Sequence, residues 1–336
     1  MAAAGVEIVA PMNPVVGLVE IFGQFREILA SFAALKKTLR ERRPGLIVLI
    51  DNPEFNIRLA RIARRAGVPV MYYVSPQVWA WRKGRARKIA RVIDGMAVIL
   101  PFEQSIYESE GVRTVYTGHP IVEEILSWSS ARKEETPDAK SETRSRILAV
   151  LPGSRRGEVD RHGDLLADTI LLIKRRFPEI IPLVPIAPGL PVESRERLEG
   201  LGKAGAILTE ESSWEVFRKA HVALVASGTA SLEAAVFGVP TVVFYRLKTL
   251  SYLVGKMLVD VPHVSLANLL LDERVIPEYI QNEATPASLA VAVGQLVDEE
   301  EPRSHMIEAF SRVRGILGNT RASALAADLA EEIAGC

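Results

Sequence analysis

Apolar residues recur along this chain in two alternating rhythms. Short unbroken β-branched runs predict buried strands at "LIVLID" (46–51), "VPVMYYV" (68–74), "GMAVILP" (95–101) and "RTVYTG" (113–118). Longer stretches in which apolar positions return every three or four residues, such as "EFNIRLARIARRAG" (54–67), predict amphipathic helices that close on glycine. A second series follows, with "ILAVLPG" (147–153), "IPLVPIA" (181–187), "GAILTE" (205–210), "VALVAS" (222–227) and "PTVVFY" (240–245) again separated by helical patterns. Strand and helix in alternation mark a parallel sheet covered by helices, so the expected class is α/β with two Rossmann-like, doubly wound units. Between the series, "SWSSARKEETPDAKSETRSR" (127–146) is polar and almost free of large aliphatics, the composition of an exposed linker or a frayed helix end. The domain boundary is placed there, giving a first domain over 1–145, a second over 146–320, and a terminal helix over 321–336 expected to return to the first.

Composition narrows the functional classes. A chain of 336 residues exceeds what one hydrophobic core usually serves. With 41 Lys+Arg against 41 Asp+Glu it has no net charge, which argues against a dedicated nucleic-acid partner and makes any basic patch local. Its one cysteine is Cys336, so neither a disulfide framework nor a cysteine zinc site is expected, and a reducing cytoplasm is the simplest location. No apolar run reaches the roughly eighteen residues of a membrane span, and "MAAAGVEIVAP" lacks the basic start of a signal peptide; membrane contact would be made from the surface.

Ligands of open parallel sheets bind beyond the carboxyl ends of the strands, and two such places stand out in the second half. In "VALVASGTASLEAAVFGVPTVVFYR" (222–246), Ser227, Gly228 and Thr229 leave backbone N–H groups unobstructed at a helix start, where a diphosphate is favoured, and Glu233 lies one turn on, within reach of sugar hydroxyls. The plain alternative is a capping turn with Glu233 as surface charge. In "LPGSRRGEV" (151–159), Ser154 follows the glycine and Arg155 is placed to fork onto a phosphate. In the first half, Asp51 ends a buried strand. It reads either as a general base at a cleft or as the cap of the helix beginning near Pro53, and the residues alone favour the cap. The histidines at 119, 162, 221, 263 and 305 show no metal-ligand spacing, and there is no Asp-x-Asp pair; no metal and no cofactor are expected. His119 reads as a turn residue. Neither a Gly-x-Ser-x-Gly elbow nor a phosphate-binding Gly-x-x-x-x-Gly-Lys-Ser/Thr loop occurs, so hydrolase chemistry has no support.

Taken in order, "IDNPEFN", "YVSPQVWAWR", "LPFE", "TGHP", "LPGSR", "ASGTASLE" and "VSLANLL" give the chain a resemblance to the lipid-A-disaccharide synthases over nearly its whole length. The resemblance implies two Rossmann-like domains facing a cleft, the GT-B arrangement, with UDP on the C-terminal domain and an acylated acceptor on the other. It implies an inverting transfer from UDP-2,3-diacylglucosamine to 2,3-diacylglucosamine 1-phosphate, giving a β-1,6 disaccharide 1-phosphate and UDP. Asp51 then matches the family's candidate base, which reverses the preference for a cap. Ser154, Arg155, Ser227, Gly228, Thr229 and Glu233 match its UDP-sugar side, and Asn268 the asparagine of its Ser-Leu-x-Asn element. Asn56, Ser75, Trp79, Trp81 and Arg82 fall on the acceptor or membrane side, where the tryptophans run into a basic helix over 82–91 suited to an anionic inner-membrane surface or to steering the acceptor phosphate; the plain alternative, a solvated basic face with both tryptophans packed, is the stronger on the residues alone. A peripheral enzyme on the cytoplasmic face is implied. Family members open with a strand, a Gly-Glu-x-Ser-Gly-Asp loop, a helix and a second strand that are absent here, so the first domain is expected to be incomplete at its start. Two other readings stay open: an epimerase resembling the UDP-N-acetylglucosamine 2-epimerases, and a UDP-binding chain without activity. The apolar "LSYLVGKMLV" (250–259) is either a core helix or a contact between the subunits of a homodimer.

Overall fold

The computed structural model describes residues 5–10, 18–80, 84–132, 146–247, 262–318 and 321–335. It divides into two compact units, Met1–Gly118 with Arg321–Cys336, and His119–Thr320.

In the first unit, strands β1 (Ile47–Ile50), β2 (Val70–Tyr73), β3 (Gly95–Val98) and β4 (Arg113–Tyr116) form a parallel sheet in the order β1-β2-β3-β4. Helices α1 (Leu18–Arg42), α2 (Pro53–Arg65), α3 (Arg85–Ala90) and α4 (Glu103–Glu108) alternate with them. The two-residue period of a strand sorts the side chains between faces. Leu49, Tyr72, Met96 and Val98 pack with Ile57, Ile89 and Tyr107 on one side, while Met71 and Ala97 face the other. Helix α2 forms because its buried positions Asn56, Ile57, Leu59, Ala60 and Ala63 lie on one stripe, with Pro53 in the first turn, where a missing N–H costs nothing.

The second unit begins with α5 (Pro120–Ala131) and continues through β5 (Ile147–Leu151), α6 (Arg156–Arg176), β6 (Ile181–Pro185), α7 (Val192–Lys203), β7 (Ile207–Thr209), α8 (Ser213–Lys219), β8 (Val222–Ala226), α9 (Thr229–Phe237) and β9 (Thr241–Tyr245). After these come α10 (Leu266–Leu271), β10 (Glu278–Ile280), α11 (Pro286–Asp298) and α12 (Glu300–Leu317). Its parallel strands run in the order β10-β9-β8-β5-β6-β7, so winding reverses between β5 and β8. Strand β8 is fully buried, and Leu224 and Val225 are at 0% exposure. Truncating such a leucine to alanine costs about 2–5 kcal/mol.

The last helix, α13 (Ala322–Ala334), lays Ala326 and Leu329 over Met71 and Ala97 of the first unit. The change of unit falls at Gly118–His119, not in the polar 127–146 segment, because Val122 and Ile125 of α5 are buried in the second unit's core. Strand β10, which pairs with β9, was not anticipated from the sequence. Among the described residues no helix is long and apolar enough to cross a membrane.

Candidate functional site

Asp51 leaves the carboxyl end of β1 in an unusual backbone state. Asp51 and Asn52 both hold positive φ, 49° and 40°, which costs a non-glycine residue about 1–3 kcal/mol. Three bonds hold the turn. The Asp51 N–H donates to the Tyr73 carbonyl at 3.2 Å, and its own carbonyl accepts from the Tyr72 hydroxyl and from Asn56 Nδ2, the latter at 2.7 Å. The second Asn56 amide hydrogen goes to the Ile50 carbonyl at 3.0 Å. The N-cap of α2 is Asn52, without a side-chain capping bond, so the capping role weighed for Asp51 is not the one the structure gives it. Asp51 is exposed, fixed by its backbone at the ligand-binding end of the sheet. Asn56 is buried against that backbone and acts through it, a correction to its placement on the acceptor side.

The loop after β2 is organised from within. Val74, β-branched yet at φ 63°, donates its N–H to Ala97, and behind it Glu103 is buried to 1% exposure. Glu103 accepts from Ser75 Oγ at 2.7 Å, Trp79 Nε1 at 3.0 Å and the Leu100 N–H at 3.1 Å. Burial pushes its carboxyl above the usual range, against those donors. Trp79 also meets Phe102 edge to face at 5.2 Å. A buried carboxylate therefore draws the Ser75 hydroxyl inward and anchors the half-buried Trp79 through its indole N–H. Trp81 and Arg82 lie outside the described residues, as does 250–259. The basic helix is shorter than expected: α3 buries Ala86 and Ile89, pairs Arg85 with Glu54 at 2.8 Å, and leaves Arg87, Lys88 and Arg91 exposed.

In the second unit the predicted residues gather on the loops that follow β5 and β8, the two strands at which winding reverses. Ser227 continues β8, its N–H committed to the Phe244 carbonyl at 2.9 Å, so the amides left for the expected phosphate contact begin at Gly228. Gly228 adopts φ 150° and ψ −158°, a conformation open essentially to glycine, and caps α9; its carbonyl accepts from Ser231 Oγ at 2.8 Å. Thr229 is exposed at the first position of α9. Glu233 is half-buried, accepts from Ser213 Oγ at 3.1 Å, and burial raises its carboxyl above the ordinary range. On the β5 loop, Ser154 and Arg155 are exposed and follow Gly153 at φ 112°.

Asn268 is not open to a ligand. Its amide nitrogen donates to Ile276 O and Glu278 Oε1, each at 2.9 Å, and its oxygen accepts from the Val275 and Ile276 N–H groups at 3.0 and 2.9 Å. Both hydrogens and both lone pairs are used, so the expected donor contact is corrected to a brace. Buried Glu278 completes it by accepting from the Ser265 N–H at 2.7 Å. Sequence reasoning missed this carboxylate, along with Glu103, Glu158 and the fully buried His162. His119, expected in a turn, caps α5 by accepting from the Ile121 N–H at 3.3 Å.

A family model described as lipid-A-disaccharide synthetase matches residues 1–331. A lipid-A-disaccharide synthase of Geobacter metallireducens is 38% identical over 338 residues, covering 100% of this chain and 88% of the relative. One of Myxococcus xanthus is 40% identical over 347 residues, covering 99% of this chain and 87% of its own length. Among solved structures, the calicheamicin glycosyltransferase CalG4 aligns with TM-score 0.60 at 16% identity, covering 99% of this chain and 87% of that one. The UDP-GlcNAc 2-epimerase of Neisseria meningitidis bound to UDP-GlcNAc aligns with TM-score 0.57 at 15% identity, covering 91% and 83%. These two likenesses show the fold alone.

Proposed function

The chain belongs to the lipid-A-disaccharide synthetase family, and from that premise we propose that it joins UDP-2,3-diacylglucosamine to 2,3-diacylglucosamine 1-phosphate, forming the β-1,6 disaccharide 1-phosphate and releasing UDP. It is a glycosyltransferase. The first unit supplies the base and the second holds the UDP-sugar. The acceptor 6-hydroxyl attacks the anomeric carbon from the face opposite the diphosphate. The new O–C bond forms as the bond to the diphosphate oxygen breaks, and the hydroxyl proton passes to the Asp51 carboxylate. Charge building on the departing diphosphate is met by the amides at the start of α9 and by Arg155, while Glu233 takes ribose hydroxyls. Asn268 braces the α10 loop without touching the donor.

The observation that carries this reading is the Asp51 turn: an exposed carboxylate on a strained backbone that Asn56 and Tyr72 hold in place. Strain maintained around an unused acid is the mark of a chemical role, not of a helix cap. Asp51→Ala should lower kcat by about 10²–10⁴ and leave UDP affinity unchanged, read by mass spectrometry of the disaccharide and by calorimetry. Full turnover in this variant would overturn the reading.

On this reading the substrates are lipids and the enzyme works at the cytoplasmic face of the inner membrane. The exposed Arg87, Lys88 and Arg91 form a basic face suited to anionic head groups, each worth about 1 kcal/mol. Changing all three to glutamine should reduce flotation with anionic liposomes; unchanged flotation would remove this face from the proposal.

A further inference from the structure

The turn that carries Ser154 and Arg155 is closed around a carboxylate that its own helix supplies. Glu158 stands in the first turn of α6 and is 7% exposed. Its Oε2 accepts from the Ser154 N–H at 3.0 Å and the Arg155 N–H at 3.3 Å. Its Oε1 accepts from the Tyr245 hydroxyl at 3.0 Å and lies 3.4 Å from Arg155 Nη1. The fit leaves no room to spare, since a Cβ on Gly153 would stand 2.4 Å from the same carboxylate.

Two features separate this from an ordinary capping glutamate. One is reach: the capping amides alone would satisfy a cap, yet Glu158 also engages the Arg155 guanidinium and a hydroxyl from β9, two strands away in the sheet. The other is reinforcement one turn further along α6. Buried His162 donates from Nδ1 to the Pro152 carbonyl at 2.7 Å and accepts the Arg246 N–H at Nε2, 3.2 Å away, a pairing that fixes its neutral tautomer. Arg161 Nε donates to the Arg246 carbonyl at 3.1 Å. One face of α6 thus ties the turn after β5 to the exit of β9. Meanwhile Arg155 remains 59% exposed, and its single long contact with Glu158 leaves most of its five N–H donors available.

We propose that Glu158 is a positioning residue that aims the Arg155 guanidinium at the diphosphate of the sugar donor, an inference that rests on the donor site described above. The amides of Ser154 and Arg155 already face Glu158, so on this loop the diphosphate is met by side chains, with Arg155 supplying the positive charge. A second negative group nearby is tolerated because four donors surround it. If Glu158 were merely an adjacent charge, its neutralisation would tighten UDP binding; if it aims Arg155, neutralisation weakens it.

Calorimetry with UDP on the full chain separates these. Glu158→Gln is expected to weaken UDP binding about tenfold, the loss of one charge-assisted interaction. Arg155→Ala should weaken it at least as much, and the double variant no further than Arg155→Ala alone. Tyr245→Phe, which keeps the ring and removes one donor to Glu158, should shift affinity a few-fold the same way, and it carries the test if Glu158→Gln does not fold. Additive losses, or unchanged or tighter UDP binding in Glu158→Gln with Arg155→Ala impaired, would overturn the positioning role. An Arg155→Ala variant that binds UDP normally would overturn the donor-site reading itself, and this inference with it.

Discussion

Replacing Asn56 by alanine should disable Asp51 without touching it. The Asn56 amide donates to the Ile50 and Asp51 carbonyls at 3.0 and 2.7 Å, two bonds worth together about 2 kcal/mol. Asp and Asn tolerate positive φ better than other non-glycine residues, so the pair at Asp51 and Asn52 sits at the low end of about 1–3 kcal/mol each, about 2 kcal/mol in all, which the two bonds match. Without them the turn relaxes, with only the Tyr72 hydroxyl and the Asp51 N–H bond left to oppose it. A carboxylate displaced by about 1 Å from its reacting proton loses about 10² in rate, within the 10²–10⁴ that a general base contributes in all. The assay is disaccharide 1-phosphate formation at saturating donor and acceptor, with UDP affinity measured in parallel. UDP binding should hold, because Asn56 and the donor turns belong to different units. In the Asp51→Ala background, Asn56→Ala should lower kcat no further, since the two act as one device. Equal rate losses in both backgrounds would refute the reasoning and leave Asn56 as a fold residue only.

Other consequences are as direct. Gly228→Ala forces a side chain into φ 150°, ψ −158°; it should cost about 1–3 kcal/mol and weaken UDP binding by calorimetry, and an unaffected variant would show that the turn has freedom to move. Burial holds the His119 imidazole down to about 4, below its unfolded value of about 6.5. Its contribution is therefore complete above about pH 6.5 and lost as pH falls through that window toward 4, about 3 kcal/mol in total. Glu103 and Glu233, with carboxyls raised by burial, act in the opposite sense, so the effect is read as the difference between wild type and His119→Asn in urea midpoints from pH 7 to 4.5. Coincident pH profiles would refute it. Glu103→Ala leaves Ser75, Trp79 and the Leu100 N–H without their acceptor; Trp79 fluorescence should shift to the red as the loop opens to water, and an unshifted spectrum would count against the buried carboxylate as its organiser.

Nine strands were legible as short apolar, β-branched runs; burial on both faces enforces such a run in β3 and β8, whereas β1 carries one while leaving Val48 and Ile50 exposed. Strand β10 escaped because Glu278–Ile280 is short and begins with a carboxylate; only pairing with β9 makes it a strand. The unit boundary escaped for a related reason, since α5 is amphipathic and nothing local says which core receives Val122 and Ile125. The glycines and cations of the donor turns were visible as residue types. The carboxylates that brace the loops were not: nothing local marks Glu103, Glu158 and Glu278 as buried until tertiary contacts bring donors around each. Asn268 was matched to the donor side by its motif, and that its amide is saturated could not be read there, because saturation is a property of its neighbours. The positive φ at Asp51 and Asn52 went unread, although Asp and Asn are the non-glycine residues that enter that region most readily.

The first unit is stitched from both ends of the chain, and this has a consequence for how the protein is made. Met71 and Ala97 leave the ribosome early, but the residues that cover them, Ala326 and Leu329, come almost last. At about 5–20 residues per second, the roughly two hundred residues between Gly118 and α13 keep that sheet face uncovered for on the order of 10–40 s. The second unit is continuous and has all its strands before α13 appears. The half that is translated second is thus complete first, while the half translated first waits for α13. During that interval the nascent chain presents an apolar sheet surface to its surroundings, and a ribosome stalled before residue 322 would leave it there.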